Sequence, residues 1–407
     1  MPLGIKAVPL HHKRNIMAVT ITQQPPSLCF IEDGIKYILS RTPKEGTPLR
    51  VSFYITYYTN GYNTKTDTVD LLYIPEDDPN DLTKEVFNID LTDIMSGYSA
   101  PLRLYGTSIV GYAEISIYQI DGVSQTIQYK SCLFGTTGGI DINANIPETI
   151  HPFFTARGNE QGSLHFYRSE LGAMGAIFAV VPATYDDFLF ETDGASSISC
   201  RNLNNRVIAA PLPGYLLNTI NSIYFYLISN QTRLRNYAIA IEDDPETDEA
   251  YLIRWINSMG VQDAILLTGE MQDVSEVEDP AIYNVEQGAI KTTRALVRKR
   301  MLTTKYKLHT GYLSPARILA LLDMLSSAEV EIRVDNNGWI PVSVTAKPKR
   351  AIYQREPETF ELEIEVLEQT RYRKPNRTIV PLPALRTGLL QDNSGNTILD
   401  NNSNTIY

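Results

Sequence analysis

The stretch "PLRVSFYITYYTNGYN" places Val51, Phe53, Ile55 and Tyr57 at every second position, with polar or smaller residues between most of them. A period of two is what a strand buried on one face requires, and it denies the same residues a continuous stripe on a helix. Asn60-Gly61 follows as a hairpin turn. The pattern returns in "EISIYQIDGVSQTIQYKSCLF", which predicts a second hairpin turning at Asp121-Gly122. Short strands with turn signals every ~8–12 residues predict a β-sandwich of immunoglobulin-like or jelly-roll type over residues 21–139. The 24 Tyr and 23 Pro, with many Thr, Val and Ile, lean the same way.

A chain of 407 residues exceeds what one hydrophobic core usually serves, so several domains are expected. Residues 1–20 read as an N-terminal arm. The Gly-rich "GTTGGI" near Gly139 reads as a linker, since no Lys-Ser/Thr follows it and no helix opens there to cradle a phosphate. Residues 140–290 read as a second β-rich domain, with strands in "GSLHFYRSE", "AIFAVVP", "DDFLFET", "RVIAAPLP", "SIYFYLIS" and "NYAIAIED". Residues 291–372 read as a compact α+β unit. There "SPARILALLDMLSS" predicts a helix with Ser314 as N-cap and Pro315 at its first position. Ile318, Leu321, Leu322 and Leu325 make its apolar stripe. "VEIRVDNNGWIPVSV" predicts a hairpin around Asn336-Asn337-Gly338. "TFELEIEVLEQ" predicts a strand with Phe360, Leu362, Ile364 and Val366 inward and Glu361, Glu363 and Glu365 on the other face.

Residues 373–407 read as a Pro-rich connector and a C-terminal β-arm. The stretch "DNSGNTILDNNSNTIY" repeats an eight-residue turn-and-strand unit, Asp392–Leu399 and Asp400–Tyr407. Strands this short do not stand alone in water, which points to pairing with a neighbour's sheet edge. Ile398, Leu399, Ile406 and Tyr407 are then its interface residues.

The search for chemistry returns little. His11, His12, His151, His165 and His309 have no metal-ligand spacing, and Cys29, Cys132 and Cys200 are odd in number and far apart, which argues against a disulfide framework. The acidic runs "PEDDPNDLTKE" and "EDDPETDEA" lack the alternating ligands and Gly of an EF-hand and read as solvated turns. No nucleophile motif appears. The expectation is a protein that is not an enzyme and takes no cofactor and no metal. A net charge of −11 disfavours a general nucleic-acid binder. No apolar run is long enough to span a bilayer and no secretory signal is visible, so synthesis in the cytosol is expected. Against this acidic background Lys291, Arg294, Arg298, Lys299, Arg300, Lys305 and Lys307 form a basic cluster, read first as a charged subunit contact, second as a solvated edge strand and third as a DNA contact.

"YLIRWINSMGVQDAILLTGE" resembles a segment of phage and prophage virion proteins of Bacteroidetes hosts, the crAss-like phages among them. In it a strand ending at Arg254-Trp255 is followed by Asn257, Gly260 and a second apolar strand. An opening like "ITQQPPSLCF", a closing helix-plus-hairpin domain and a "DxxGNxI"-like tail extend the resemblance over most of residues 19–407. It implies a structural part of the tail or head–tail connector, without catalytic residues and located in the virion. The fold expected is tandem β-sandwich domains followed by a tail-tube-like α+β domain with one flanking helix. Partners would be further copies of itself, six or twelve in a ring, other virion proteins and DNA passing through a lumen. Arg294, Arg298, Lys299 and Arg300 would lie at subunit contacts, and Glu361, Glu363 and Glu365 would line the lumen. The competing classes are a tail-fibre or adhesin-type module binding carbohydrate, which the Tyr content suits, and a β-sandwich hydrolase.

Overall fold

The computed structural model describes residues 18–367 apart from 60–62, 139–140, 148, 161, 204–205, 248, 278–281, 288–291, 298–301, 335–337 and 347–358. The fold is mainly β, with several separate sheets and a few short helices. Two compact units divide the chain. One holds residues up to Ser99 together with Tyr112–Leu133, and the other holds Ala100–Gly111 and everything from Phe134 onward. The segment 21–139 is therefore shared between them. Its residues 100–111 form a small hairpin whose flanking Leu102 donates its backbone N–H to Gly260 O at 2.7 Å, within the second unit.

In chain order the first unit contains β1 (Ala18–Gln23), β2 (Leu28–Phe30), β3 (Lys36–Thr42), β4 (Leu49–Thr59), β5 (Asn63–Tyr73), β6 (Glu85–Asp90), β7 (Ala113–Ile120) and β8 (Lys130–Leu133). One sheet runs β1-β3-β6 and the other β2-β8-β7-β4-β5. Leu39, Phe87 and Ile89 from the first sheet and Val51, Phe53, Ile55 and Ile115 from the second are buried in a single cluster, so the two sheets share one core. The alternation in β4 is the cause: its inward residues remove apolar surface from water while Arg50, Tyr54 and Thr56 stay on the other side. Asp121 and Gly122 both have positive φ, 46° and 78°, and join Ile120 to Val123. Two left-handed residues are what the twist of a tight hairpin demands. The Asn60-Gly61 turn lies outside the described residues, but β4 and β5 pair without a slip from Leu49–Tyr73 to Thr59–Asn63.

The second unit contains β9 (Ser163–Tyr167), α1 (Arg168–Met174), β10 (Ala176–Val180), β11 (Asp187–Thr192), β12 (Val207–Pro211), β13 (Ser222–Ser229) and β14 (Thr232–Glu242). There follow β15 (Tyr251–Ile256), β16 (Gln262–Leu267), β17 (Met271–Asp273), β18 (Ile282–Gln287), β19 (Thr292–Val297), β20 (Lys305–His309), α2 (Pro315–Ser326), β21 (Val330–Arg333), β22 (Trp339–Ala346) and β23 (Glu361–Val366). Every strand expected between residues 163 and 242 is present. The sheet β9-β14-β13-β11 and the pair β10-β12 bury Phe166, Phe190, Phe225, Ile177 and Ile208 together.

The last part of this unit is an antiparallel seven-stranded sheet in the order β16-β15-β21-β22-β23-β20-β17. Helix α2 covers one of its faces. Ser314 Oγ accepts the Arg317 backbone N–H and Pro315 occupies the first turn, as the sequence suggests. Ile318, Ala320, Leu321 and Met324 are buried against the sheet. The stripe differs from the expected one at Leu322, which is 38% exposed. At 100° per residue the buried arc runs through Ala320 and Met324, and Leu322 falls beyond its edge.

Strands β15 and β16 are covered on both sides. Ile253, Trp255, Ile265 and Leu267 face α2, whereas Leu252, Ala264 and Leu266 pack with Ala173 and Met174 of α1. Burial on both faces accounts for their nearly continuous apolar sequence. It also carries the seven-stranded sheet back to residue 251, so a boundary at 290 does not separate this sheet from what precedes it.

Candidate functional site

Three features of the second unit bear on function. The first is a long two-stranded arm. β17 pairs with β20, Glu276–Val277 with Leu302–Thr303, and β18 with β19, all in one register from Met271–Leu308 to Gln287–Thr292. The base belongs to the seven-stranded sheet, because β20 also pairs with β23. Beyond it, among the described residues, the two strands pair only with each other. Glu276–Val277 pairs with Leu302–Thr303, and Ile282–Gln287 with Thr292–Val297. A hairpin of two strands is at best marginally stable in water on its own. Arg294 lies on β19, opposite Val285. Arg298, Lys299 and Arg300 lie outside the described residues, as do Ile398, Leu399, Ile406 and Tyr407 and the whole segment 373–407.

The second feature is the face of β23. Leu362, Ile364 and Val366 are buried, while Glu361 and Glu363 are exposed and Glu365 is half-buried. The neighbouring strands set their charge environment. Glu365 sits opposite Lys305, Glu363 opposite Lys307 and Glu361 opposite His309. On the other side Ser343 and Thr345 of β22 flank Glu365 and Glu363. Lys307 Nζ lies 3.1 Å from Glu361 Oε1, and His309 Nε2 3.8 Å from Glu361 Oε2. The hydrogen bond to Glu361 raises the pKa of Lys307. The three glutamates thus belong to a mixed ladder of both signs, not to an acidic strip.

The third feature sequence reading does not reveal. Glu170, in α1, has no exposed surface and lies between two guanidinium groups, with Arg157 Nη2 at 3.0 Å and Arg317 Nη2 at 2.6 Å. Its oxygens also accept the backbone N–H groups of Leu266 (2.6 Å) and Tyr167 (2.8 Å). Burial pushes its pKa up, but the two arginines and the two N–H groups outweigh this and hold it below the usual value. The arginines have further contacts, although Arg157 Nε is buried without a hydrogen-bond partner among the described residues. Arg157 donates to Ala264 O and lies over the Phe166 ring at 4.3 Å, and Arg317 donates to Leu266 O and lies over Tyr167 at 4.5 Å. Asp263 stands nearby, fully buried, accepting from Thr155 Oγ1 at 2.6 Å and from Ala264 N at 2.8 Å. Burial raises its pKa.

The "RWINSMG" segment is built into the same region. Trp255 Nε1 donates to Asp323 Oδ2 of α2 at 2.8 Å, and Ser258 N donates to Asp323 Oδ1 at 3.1 Å. Arg254 pairs with Glu331 at 2.7 Å and lies over Trp339. Asn257 Oδ1 accepts the N–H groups of Met259 and Val261, closing the turn. Gly260 has φ +76°, and a Cβ there would stand 2.3 Å from Phe134 O. Each distinctive residue of the segment therefore has a structural partner, and the region is a keystone joining α1, α2 and the sheet.

Glu170 and Asp263 themselves have no exposed surface. Among the described residues no group of three His, Cys, Asp or Glu could hold a metal ion, and no helix is long and apolar enough to cross a membrane. No protein-family model matches the chain, and no curated protein matches it.

Proposed function

We propose that this chain is a structural subunit of a phage virion, forming a ring in the tail tube, tail hub or head–tail connector. The observation that carries this reading is the two-stranded arm rooted in a seven-stranded sheet with one helix on its face. In a ring of six or twelve copies the arm of one subunit lies on its neighbour and its backbone edges pair with the neighbour's. Arg294 and the following Arg298, Lys299 and Arg300 give the arm a basic character in a chain of net charge −11, which suits contact with acidic faces of other copies. The C-terminal residues Ile398, Leu399, Ile406 and Tyr407 add a second strand-pairing element at ring junctions. If the β23 face lines the channel, its alternating Glu and Lys would present DNA with a surface of little net charge. The resemblance of residues 251–270 to Bacteroidetes phage virion proteins supports the same class.

Removing the arm tests this. A variant in which Ser275 is joined to Thr303 through Asn-Gly is expected to melt within a few degrees of the full chain yet to stay monomeric by mass photometry and fail to enter particles. Reversing the charge of Arg298, Lys299 and Arg300 together is expected to weaken assembly in the same direction. Normal assembly of the arm-deleted protein would refute the reading.

One observation favours a second reading, a module that binds host carbohydrate. The outer side of β4 and β7 carries Tyr54 stacked on Tyr118 at 4.0 Å, and Tyr58 with its hydroxyl 2.6 Å from that of Tyr112. Thr56 and Thr66 extend this face with hydroxyls 2.9 Å apart. Rings and hydroxyls side by side on a sheet face suit a neutral sugar chain. A glycan array in which Tyr54→Ala abolishes a signal given by the unaltered protein would favour this reading, and a blank array would remove it.

A further inference from the structure

Cys29 and Cys132 are 103 positions apart, yet the fold sets them side by side. They are direct partners in the parallel pairing of β2 with β8, and their sulfurs lie 3.5 Å apart in the core of the first unit. Partners on adjacent strands have Cα atoms about 5 Å apart, inside the window of about 4.4–6.8 Å that a disulfide spans. Bringing the sulfurs from 3.5 Å to bonding distance takes about 1.5 Å of approach. Strand β2 is short and, among the described residues, lies at the sheet edge paired with β8 alone, so it can supply this movement. Both residues are free thiols in this structure.

We propose that Cys29 and Cys132 are an oxidisable pair, forming a disulfide that staples the first strand of this sheet to its last. The two thiols lose two protons and two electrons to make one S–S bond. The electrons pass to a small-molecule disulfide such as oxidised glutathione, which is reduced to two thiols. The mixed disulfide forms first on Cys29, which is 6% exposed against 0% for Cys132, and the Cys132 sulfur then displaces the glutathione thiolate. The neighbouring Cys29 sulfur and burial both raise the Cys132 pKa, so little thiolate is present in the closed state and oxidation waits on opening of the β2 edge. The product closes a loop that runs through nearly the whole first unit. Such a bond restricts the unfolded chain and would harden this unit once the protein leaves a reducing compartment. The inference is independent of the virion reading.

The test uses the full chain, held reduced or treated with oxidised glutathione, both on the folded protein and during refolding. Cys200, half-exposed on the second unit, is the internal control. Peptide mapping after alkylation should find a Cys29–Cys132 cross-link with Cys200 still outside it. The oxidised protein should melt roughly 5–10 °C above the reduced one in the first unit's transition. Cys29→Ala and Cys132→Ala should each abolish both signals, and Cys200→Ala neither. Both thiols alkylated after refolding in oxidised glutathione, a glutathione adduct that stays on Cys29, or an oxidised form that melts lower would each overturn the proposal.

Discussion

Replacing Glu170 with Ala is expected to cost about 3–5 kcal/mol and to lower the melting temperature of the second unit by roughly 10 °C. The substitution leaves the buried Arg157 and the partly buried Arg317 with like charges facing each other, and it frees the N–H groups of Leu266 and Tyr167. Glu170→Gln keeps the shape and part of the hydrogen bonding but not the charge, and should fall between Ala and the parent. A triple variant, Arg157→Met, Glu170→Leu and Arg317→Met, removes all the charges at once and should be less damaging than Glu170→Ala alone. Were the single Ala variant as stable as the parent, the cluster would not be the joint between α1, α2 and β16.

The same group gives a pH dependence whose sign is fixed. Its carboxyl titrates lower in the folded protein than in the unfolded chain. Its contribution is therefore present above the unfolded value, about 4.3, and is lost as pH falls through the lower folded value. Asp263 acts in the opposite sense. Its folded pKa is raised, so its contribution is full below the unfolded value and declines as pH rises through the folded one. Urea melts of the parent and Glu170→Gln between pH 3 and 7, a range set by those carboxylate values, should converge at the acid end.

What was legible in the sequence was the periodic part. Val51, Phe53 and Ile55 announce β4, Asp121-Gly122 announces the turn after β7, and Ser314-Pro315 announces the start of α2, because each signal is local and acts through backbone geometry. The arm was not legible as one element. "KTTRALVRKRMLTTKYKLHTG" reads as strand, but "IYNVEQ" carries no sustained alternation, and the signal for their pairing lies in the register they share with β17 and β20. Arg157, Glu170 and Arg317 meet only after three distant segments have packed, and nothing in their spacing foretells it. The two cysteines teach the same point: distance along the chain argued against a pairing that a parallel contact between β2 and β8 makes possible.

Leu321→Asp is expected to destabilise the second unit by several kcal/mol, on the order of the cost of burying an unpaired charge. Leu321 has no exposed surface and lies in the cluster that α2 shares with Ile332, Ile340 and Ile364. No described basic residue belongs to that cluster, so the carboxylate must either pull water in or take up a proton. Glu363→Gln is the matched control on the opposite side of the sheet. Glu363 is exposed and faces Lys307 across a solvated ladder, where loss of one charge should change stability by about half a kcal/mol. Thermal melts of the two variants discriminate sharply between strand facings. In β23 a shift of one residue would exchange every buried side chain for an exposed one. A glutamate variant less stable than the leucine variant would therefore place Glu361, Glu363 and Glu365 in the core, and the proposed channel face would have to be sought on another strand.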